Sequence, residues 1–203
     1  MANDNQIGVR GGLLPVQYPY GNFRRSLYKL TTSAAAEIFI GQPMTLDANG
    51  QAAICATVSN SALLGPVLGF VDTNKAGLPT NLTDFAQNGY LDANIDTFVV
   101  IADDPGQLFQ IQEDSGGTAL TQAGVGARAN IIYDTASGST TTGRSTAQLD
   151  ASTIAANTGG HLQVVGLIDF MNADGTANDF GDYSKLMVRI ANHSLSQDRE
   201  TVI

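Results

Sequence analysis

The side chains that could support acid–base catalysis are few in this sequence. Its 203 residues include two histidines, His161 and His193. His161 opens a predicted strand after two glycines, His193 lies near a polar tail, and no G-x-S-x-G segment places a serine on a strand-to-helix turn. General acid–base and nucleophilic catalysis need convergent groups with matched pKa values. The sequence therefore predicts no catalytic residues, and we expect the protein not to be an enzyme.

One acidic segment, residues 169–182, could bind a cation. Asn172-Ala173-Asp174-Gly175 within it resembles the middle of a calcium-binding loop, but Phe170 and Gly181 stand where an EF-hand needs acidic ligands. The segment is predicted to be a turn-rich loop, with a calcium site of another kind as the alternative. We predict no metal site from these residues.

A second pair of carboxylates lies in Asp103-Asp104-Pro105-Gly106. Adjacent residues of a strand face opposite sides, so these two carboxyl groups are poorly placed to share a proton, and the segment predicts a hairpin turn. Gly124-Val125-Gly126 lacks the third glycine and the helix of a dinucleotide loop, and no Walker sequence is present. No cofactor is predicted.

Charge is scarce and unevenly distributed. Charged residues make up 14% of the chain, below the ~25% typical of soluble domains, and small uncharged residues suit close packing between subunits. Residues 1–36 carry four basic residues and Asp4 alone, whereas residues 37–203 carry six basic and eighteen acidic residues. An acidic body repels phosphate, so we expect no nucleic-acid binding, and the basic segment is expected to contact an acidic surface.

The cysteine count and hydropathy bear on where the protein folds. Cys55 is the single cysteine, which excludes an intramolecular disulfide. The first residues lack the apolar stretch of a secretory signal, and no run approaches the ~20 apolar residues that span a bilayer. We expect folding in a reducing cytoplasm and no membrane association.

The chain divides into an arm, a body and a tail. Residues 1–25 are predicted to form an extended N-terminal arm, because glycines and prolines break regular structure there while the segment stays apolar. Residues 26–193 are predicted to form one β domain, with 134–160 as a long polar loop containing a strand around residues 147–149. Residues 194–203 are predicted to be a polar C-terminal tail.

Strand signals dominate the body. Residues 42–58 predict a β-hairpin with its turn at Asp47-Ala48-Asn49-Gly50. Short helical turns are predicted at residues 82–86 and 119–123, and no amphipathic helix exceeds about three turns. The fold class is therefore all-β, a β-barrel or β-sandwich body with only short helical turns. Further strands are predicted at residues 65–71, 96–102, 107–112, 127–133, 161–170 and 184–190.

A short internal sequence repeat, which we call the echo, relates two of these strands. Val67-Leu68-Gly69-Phe70-Val71-Asp72 resembles Val164-Val165-Gly166-Leu167-Ile168-Asp169. The similarity predicts two equivalent strands, each bent or bulged at its glycine, with a chance match as the alternative.

Three segments carry a family resemblance. They are Gly41-Gln42-Pro43-Met44-Thr45-Leu46-Asp47 with Leu64–Val71, the run Gln107–Asp114 followed by Leu120 and Val125-Gly126, and Leu186–Ile190 with Asn192-His193. Together they resemble virion structural proteins of tailed bacteriophages, of the capsid decoration (cement) type. Residues 1–23 and 134–160 fall outside the likeness.

The resemblance implies a non-enzymatic subunit, often trimeric, that binds the major capsid protein on the exterior of a phage head assembled in the host bacterial cytoplasm. A tail-tube, neck or head-fibre subunit is the nearest alternative. A carbohydrate-binding β-sandwich is another, although no tryptophan is available for stacking. A β-fold hydrolase is the least favoured.

The arm supplies the predicted interface residues. We expect it to extend onto the shell or a neighbouring protomer, where Tyr18, Tyr20 and Phe23 would be apolar anchors and Arg24 and Arg25 would meet carboxylates. Packing of the arm on its own domain is the alternative.

Overall fold

A computed structural model shows that the chain is an all-β protein. Helical structure among the described residues is limited to two three-residue 3-10 turns, Gln122–Gly124 and Ala151–Thr153. The first overlaps the end of the helical turn expected at 119–123, while residues 82–86 lie outside the described part. The structure describes residue 3 and residues 11–16, 24–30, 36–55, 62–71, 90–91, 93, 97–117, 119–155 and 159–196, with 134–136 described by backbone alone.

The described residues form fourteen strands, and all pairs between these strands are antiparallel. The strands are β1 (Leu14–Pro15), β2 (Arg25–Lys29), β3 (Ile38–Phe39), β4 (Pro43–Leu46), β5 (Ala52–Ile54), β6 (Leu63–Phe70), β7 (Tyr90–Leu91), β8 (Phe98–Ala102), β9 (Leu108–Gln112), β10 (Arg128–Ala129), β11 (Ile131–Ser139), β12 (Arg144–Leu149), β13 (Leu162–Leu167) and β14 (Lys185–Ile190).

Two five-stranded sheets make up most of the structure. One has the order β2-β8-β6-β4-β5 and the other the order β1-β9-β14-β13-β10, while β11–β12 and β3–β7 form two-stranded sheets. A parallel bridge from Leu30 to Ala52 brings the two edges of the first sheet together. The described strands form no closed barrel.

The predicted hairpin is confirmed in its described part. β4 pairs with β5 from Met44↔Ile54 to Leu46↔Ala52. The Asp47 carboxylate accepts hydrogen bonds from the backbone N–H groups of Asn49 and Gln51, each at 2.8 Å, and Gly50 has φ 73°. Asp at the start of the turn and Gly at the positive φ are the residues that this geometry requires.

The predicted echo is also confirmed, because both strands carry a β-bulge at the same place. In the β6–β8 pair, Val67 lies opposite Ile101 and Gly69 opposite Val100, so Leu68 is the extra residue. In the β13–β14 pair, Val164 lies opposite Val188 and Gly166 opposite Met187, so the extra residue is Val165. A bulge increases the local twist of its strand, and both sheets take this twist at equivalent positions.

The equivalence extends to whole sheets. Gly41 N donates to Val67 O and Val67 N to Gln42 O; in the same pattern Gly126 N donates to Val164 O and Val164 N to Ala127 O. Gly41 and Gly126 have φ 81° and 90°. The order β2-β8-β6-β4 therefore has its counterpart in β9-β14-β13-β10, and the equivalent bridges Leu30↔Ala52 and Glu113↔Leu149 make β12, in its separate two-stranded sheet, the counterpart of β5. We call these the first and the second β unit.

Residues 134–160 differ from the prediction. In the described part, residues 134–149 belong to a hairpin and not to a long loop: β11 and β12 pair from Ile131↔Leu149 to Ser139↔Arg144, and the strand expected at 147–149 is the end of β12. The inward positions of β12 include Ser145 and Ala147, both fully buried. Small side chains can line a core face without producing the large-apolar alternation by which a strand is recognised.

The other predicted body strands are confirmed, with ends shifted by a few residues. β8 is buried at its last four positions, as expected for a strand covered on both faces. In β14, Leu186, Val188 and Ile190 are buried as predicted. Two apolar clusters fill the structure, one around β6 and β8 and a larger one around β9, β12, β13 and β14.

Candidate functional site

The described part of the N-terminal arm lies on the chain's own body. β1 adds to the edge of β9 through Leu14↔Gln110 and Pro15↔Phe109, and Val16 N donates to Leu108 O at 2.9 Å. Leu13 is fully buried in the larger apolar cluster. Residues 11–16 therefore follow the alternative, packing of the arm on its own domain, and they do so by strand addition, in which backbone hydrogen bonds join an added strand to a sheet edge.

Of the five predicted interface residues, two are described. Tyr18, Tyr20 and Phe23 lie outside the described residues. Arg24 and Arg25 are both exposed and stand at the beginning of β2. Leu27, two residues farther along, is also exposed, at 42%.

Arg24 meets a carboxylate of its own chain. Its Nε donates to Asp103 Oδ1 at 3.0 Å, and its Nη2 donates to Asp103 Oδ2 and to the Asp103 carbonyl at 3.2 and 2.9 Å. The Tyr28 hydroxyl donates to Asp103 Oδ2 at 2.7 Å. Four hydrogen bonds therefore tie the start of β2 to the end of β8.

The electrostatics of this network follow from burial and hydrogen bonding. Burial acts to raise the pKa of Asp103, but the hydrogen bonds from Arg24 and Tyr28 outweigh it and hold that pKa below its usual range. Burial and then the Asp103 contact raise the pKa of Tyr28 to about 12. The hydrogen bond to Asp103 raises the pKa of Arg24. At neutral pH Arg24 is therefore positively charged, Asp103 is negatively charged and Tyr28 keeps its proton.

The predicted separation of Asp103 and Asp104 is confirmed. Asp104 Oδ1 accepts from Gly106 N at 2.9 Å and Gln107 N donates to Asp104 O, so the second carboxylate caps its own turn. The turn is not a hairpin, because β8 and β9 belong to different sheets. It is the connection between the two β units.

Neither histidine is accessible to solvent. His161 is fully buried, its Nδ1 accepts from Ile131 N at 3.3 Å, and its Nε2 lies 3.8 Å from Cys55 Sγ. His193 is 2% exposed, its Nδ1 accepts from Leu195 N at 3.0 Å, and burial lowers its pKa. Both rings therefore accept hydrogen bonds from backbone N–H groups in the interior of the fold.

Two carboxylates of the 169–182 segment, those of Asp174 and Asp179, accept hydrogen bonds within their own turns. Asp174 Oδ1 accepts from Thr176 N and Thr176 Oγ1 at 2.9 and 2.6 Å, and Asp179 Oδ1 accepts from Phe180 N. Across the described ranges, no group of three or more His, Cys, Asp or Glu side chains is arranged to hold a metal ion. The calcium alternative gains no support from this geometry.

One residue with unusual chemistry was not recognised in the sequence. Glu113 is fully buried, and its Oε2 accepts from Tyr183 N at 2.7 Å. Its Oε1 is buried with no hydrogen-bond partner among the described residues. Burial raises the pKa of Glu113 to about 7. The local sequence Gln112-Glu113-Asp114 resembles the solvated end of a strand, so only the fold reveals this carboxyl group.

The chain was compared with family models, with curated proteins and with solved structures, and none of the three comparisons found a match. In the described part of the chain, no helix is sufficiently long and apolar to span a bilayer.

Proposed function

We propose that this protein is a non-enzymatic structural subunit of a phage virion, a capsid decoration protein that clamps neighbouring capsid subunits. The observation that carries the proposal is the seating of Leu13–Val16 on the edge of β9, which shows that the N-terminal segment binds a sheet edge by strand addition. A segment that binds in this way can make the same contact between subunits as within one. The resemblance of residues 41–47, 64–71 and 107–114 to decoration proteins supplies the class of assembly.

Other observations support a function that depends on contacts between protein surfaces. The polar groups most suited to chemistry, His161, His193 and Asp103, are buried and engaged within the fold. The duplicated β unit gives one chain two similar bodies joined by the turn at residues 103–107, which extends the surface that a single chain can cover. An interface of standard size, about 1,600 Å² of total area, can supply stable attachment after the cost of association when its central contacts are well packed.

The proposed partners are further copies of the chain, with a trimer favoured, and the major capsid protein on the exterior of the head. Attachment would counter the outward pressure of packaged DNA by adding buried area between shell subunits. The Arg24–Asp103 pair refines the arm hypothesis: Arg24 fixes the end of the arm to the body, and the contacts with the shell fall to Arg25 and to the aromatic residues before it.

Location in the particle tests the assignment. Immunogold labelling of virions of the encoding phage is expected to place the protein on the outer surface of the head. Label on the tail or neck would instead support a tail-tube, neck or fibre subunit, and absence from purified virions would exclude a structural role. Light scattering of the purified protein tests the trimer.

The arm is tested by substitution, because deleting residues 2–23 would also remove the buried Leu13 and β1. The triple variant Tyr18→Ser, Tyr20→Ser, Phe23→Ser keeps both. We expect its attachment to empty heads lacking the protein to weaken at least tenfold, with little change in thermal stability. Met171→Ser, which truncates a side chain that is 70% exposed elsewhere, is the matched control and should attach normally. Unchanged attachment of the triple variant would refute the arm contact.

A further inference from the structure

The two β units differ at one buried position in a way that packing does not require. Leu30 N donates to Thr97 O and Leu30 bridges Ala52; in the same places Glu113 N donates to Ser184 O and Glu113 bridges Leu149. Leu30 is 2% exposed and belongs to the core of the first unit. The second unit buries a carboxyl group where the first buries leucine. Burying a carboxylate carries a large desolvation cost, so packing alone does not account for a glutamate at this position.

Glu113 supports two strained residues. Tyr183 and Ser115 have φ 57° and 58°, and they are the non-glycine residues with positive φ among those described. Tyr183 N donates to Glu113 Oε2 at 2.7 Å, and the backbone of Ser115, two residues farther along the chain, acts to lower the pKa of this carboxyl group. Left-handed conformations of such residues are strained and persist where the surroundings hold them. Glu113 therefore fastens the turn before β14 to the end of β9.

The same turn holds the N-terminal segment. Asn3 Nδ2 donates to the carbonyl oxygens of Asp179 and Asp182 at 2.9 and 3.0 Å, and Asp179 N donates to Asn3 Oδ1 at 3.2 Å. Asn3 is 6% exposed. The residue that Glu113 binds, Tyr183, directly follows one of the carbonyl groups that Asn3 binds. Glu113 and Asn3 therefore bind adjacent residues of the same turn, Tyr183 and Asp182.

The charged groups around Glu113 are mainly acidic. Asp114 precedes the turn that contains Ser115, and Asp182 lies beside Tyr183; both raise the pKa of Glu113 in addition to burial. The neighbouring 3-10 turn contributes Asp150, whose carboxylate caps that turn through Ser152 N. β14 contributes Lys185, whose ammonium group lies 5.6 Å from the centroid of the Phe170 ring.

We propose that Glu113 is a proton-operated latch that holds the turn at 179–184, and with it Asn3, most firmly when its carboxyl group is neutral. Opening of the turn exposes Glu113 to water, where its pKa returns from about 7 toward 4.5. The closed form therefore binds the proton more tightly, and by linkage the latch loosens as the pH rises from 4.5 to 7 and changes little above 7. The latch does not depend on the proposed virion role, because it is a property of the isolated chain.

Native-state hydrogen exchange, corrected for the intrinsic effect of pH, measures this opening directly. In the wild-type protein the protection of the Tyr183 and Ser115 amides is expected to fall by up to about tenfold per pH unit between 4.5 and 7, and then to level off. The Asn3 side-chain resonances should change with the same midpoint. In Glu113→Gln, a neutral isostere, protection at both amides should no longer vary across this range.

Two further variants make the test decisive. Glu37→Gln removes a partly exposed acid of the first unit and should behave as the wild type. Asp182→Asn keeps the backbone carbonyl that Asn3 binds but removes a like charge, so the midpoint should move to lower pH; this variant also serves if Glu113→Gln does not fold. Protection that is independent of pH in the wild type, or an unchanged midpoint in Asp182→Asn, would overturn the proposal.

Discussion

Arg24 and Asp103 form an ion pair in which the guanidinium side chain is 52% exposed and the carboxylate side chain only 2% exposed. The pair joins the residue before β2 to the residue after β8. Because Asp103 is buried, its charge depends on the donors around it, and Arg24 supplies two of the three hydrogen bonds to the carboxylate described above. The junction between the arm and the body therefore depends on the partly exposed guanidinium group of Arg24.

Removal of Arg24 is expected to destabilise the fold. In Arg24→Ala the Asp103 carboxylate keeps only Tyr28 from this network, and we expect a loss of about 1–2 kcal/mol, below the ~3–5 kcal/mol of fully buried pairs because half of the guanidinium is solvated. Arg24→Lys should recover only part of the loss, because lysine keeps the positive charge but lacks the planar guanidinium group that binds a carboxylate through two nitrogens. Urea denaturation measures both, with the exposed neighbour variant Arg25→Ala expected to stay within ~0.5 kcal/mol of the wild type.

Glu113 is expected to make the global stability fall as the pH rises. Its pKa is about 7 in the folded protein and returns to 4.5 when unfolding exposes the carboxyl group to water, so the folded chain binds more protons than the unfolded chain between these values. The free energy of unfolding should then decrease by up to ~1.4 kcal/mol per pH unit in this window. Chemical denaturation of the wild type and Glu113→Gln at pH 4.5 to 8 measures the difference. Parallel pH profiles for the two proteins would contradict this expectation.

His193 is expected to act in the opposite direction. Burial lowers its folded-state pKa below 6.5, so the unfolded chain binds more protons just below that pH, and stability is lost as the pH falls. His193→Asn keeps an acceptor for Leu195 N without a group that titrates there. The variant should lose less stability than the wild type between pH 6.5 and 5, as followed by thermal denaturation. A steeper acid loss in His193→Asn would refute the assignment.

Gly65 is expected to tolerate no side chain. Its φ is 148°, and an added Cβ would lie 1.8 Å from the backbone oxygen of Ala102 on the neighbouring strand. Gly65→Ala should therefore cost more than about 3 kcal/mol, because backbone atoms cannot yield as a side chain can. Gly126→Ala is the control: its φ of 90° is strained, but no atom lies within 4 Å of the added Cβ, so a cost of about 1–2 kcal/mol is expected.

Much of the fold could be predicted from local patterns. The alternation of Leu186, Val188 and Ile190 predicted β14, and the Asp47–Gly50 turn predicted the β4–β5 hairpin, because period-two burial and turn chemistry act over a few residues. The six-residue echo at Gly69 and Gly166 predicted two bulged strands for the same reason. It did not reveal the full duplication, since the counterparts of β2, β4 and β5 share register without sharing side chains.

The candidate site was predicted less completely. Arg24 and Arg25 were recognised by their charge, but the pairing of Arg24 with Asp103 joins residues far apart in the chain, and no local pattern indicates it. Glu113 gave no signal, because a strand ending in Gln112-Glu113-Asp114 is typical of a solvated edge. Its burial became evident only when the sheet register placed it in the second unit at the position that Leu30 occupies in the first.

The amino-acid sequence thus determined the all-β class, most strand positions and the apolar, basic character of the arm, because each depends on short-range backbone preference and on side-chain polarity. The tertiary structure decided which surfaces meet: the seating of β1 on β9, the hairpin at residues 131–149 built on small side chains, and the burial of Glu113 beneath Tyr183. These features depend on contacts between distant segments, whose free energy is set by shape and desolvation once the sheets have formed.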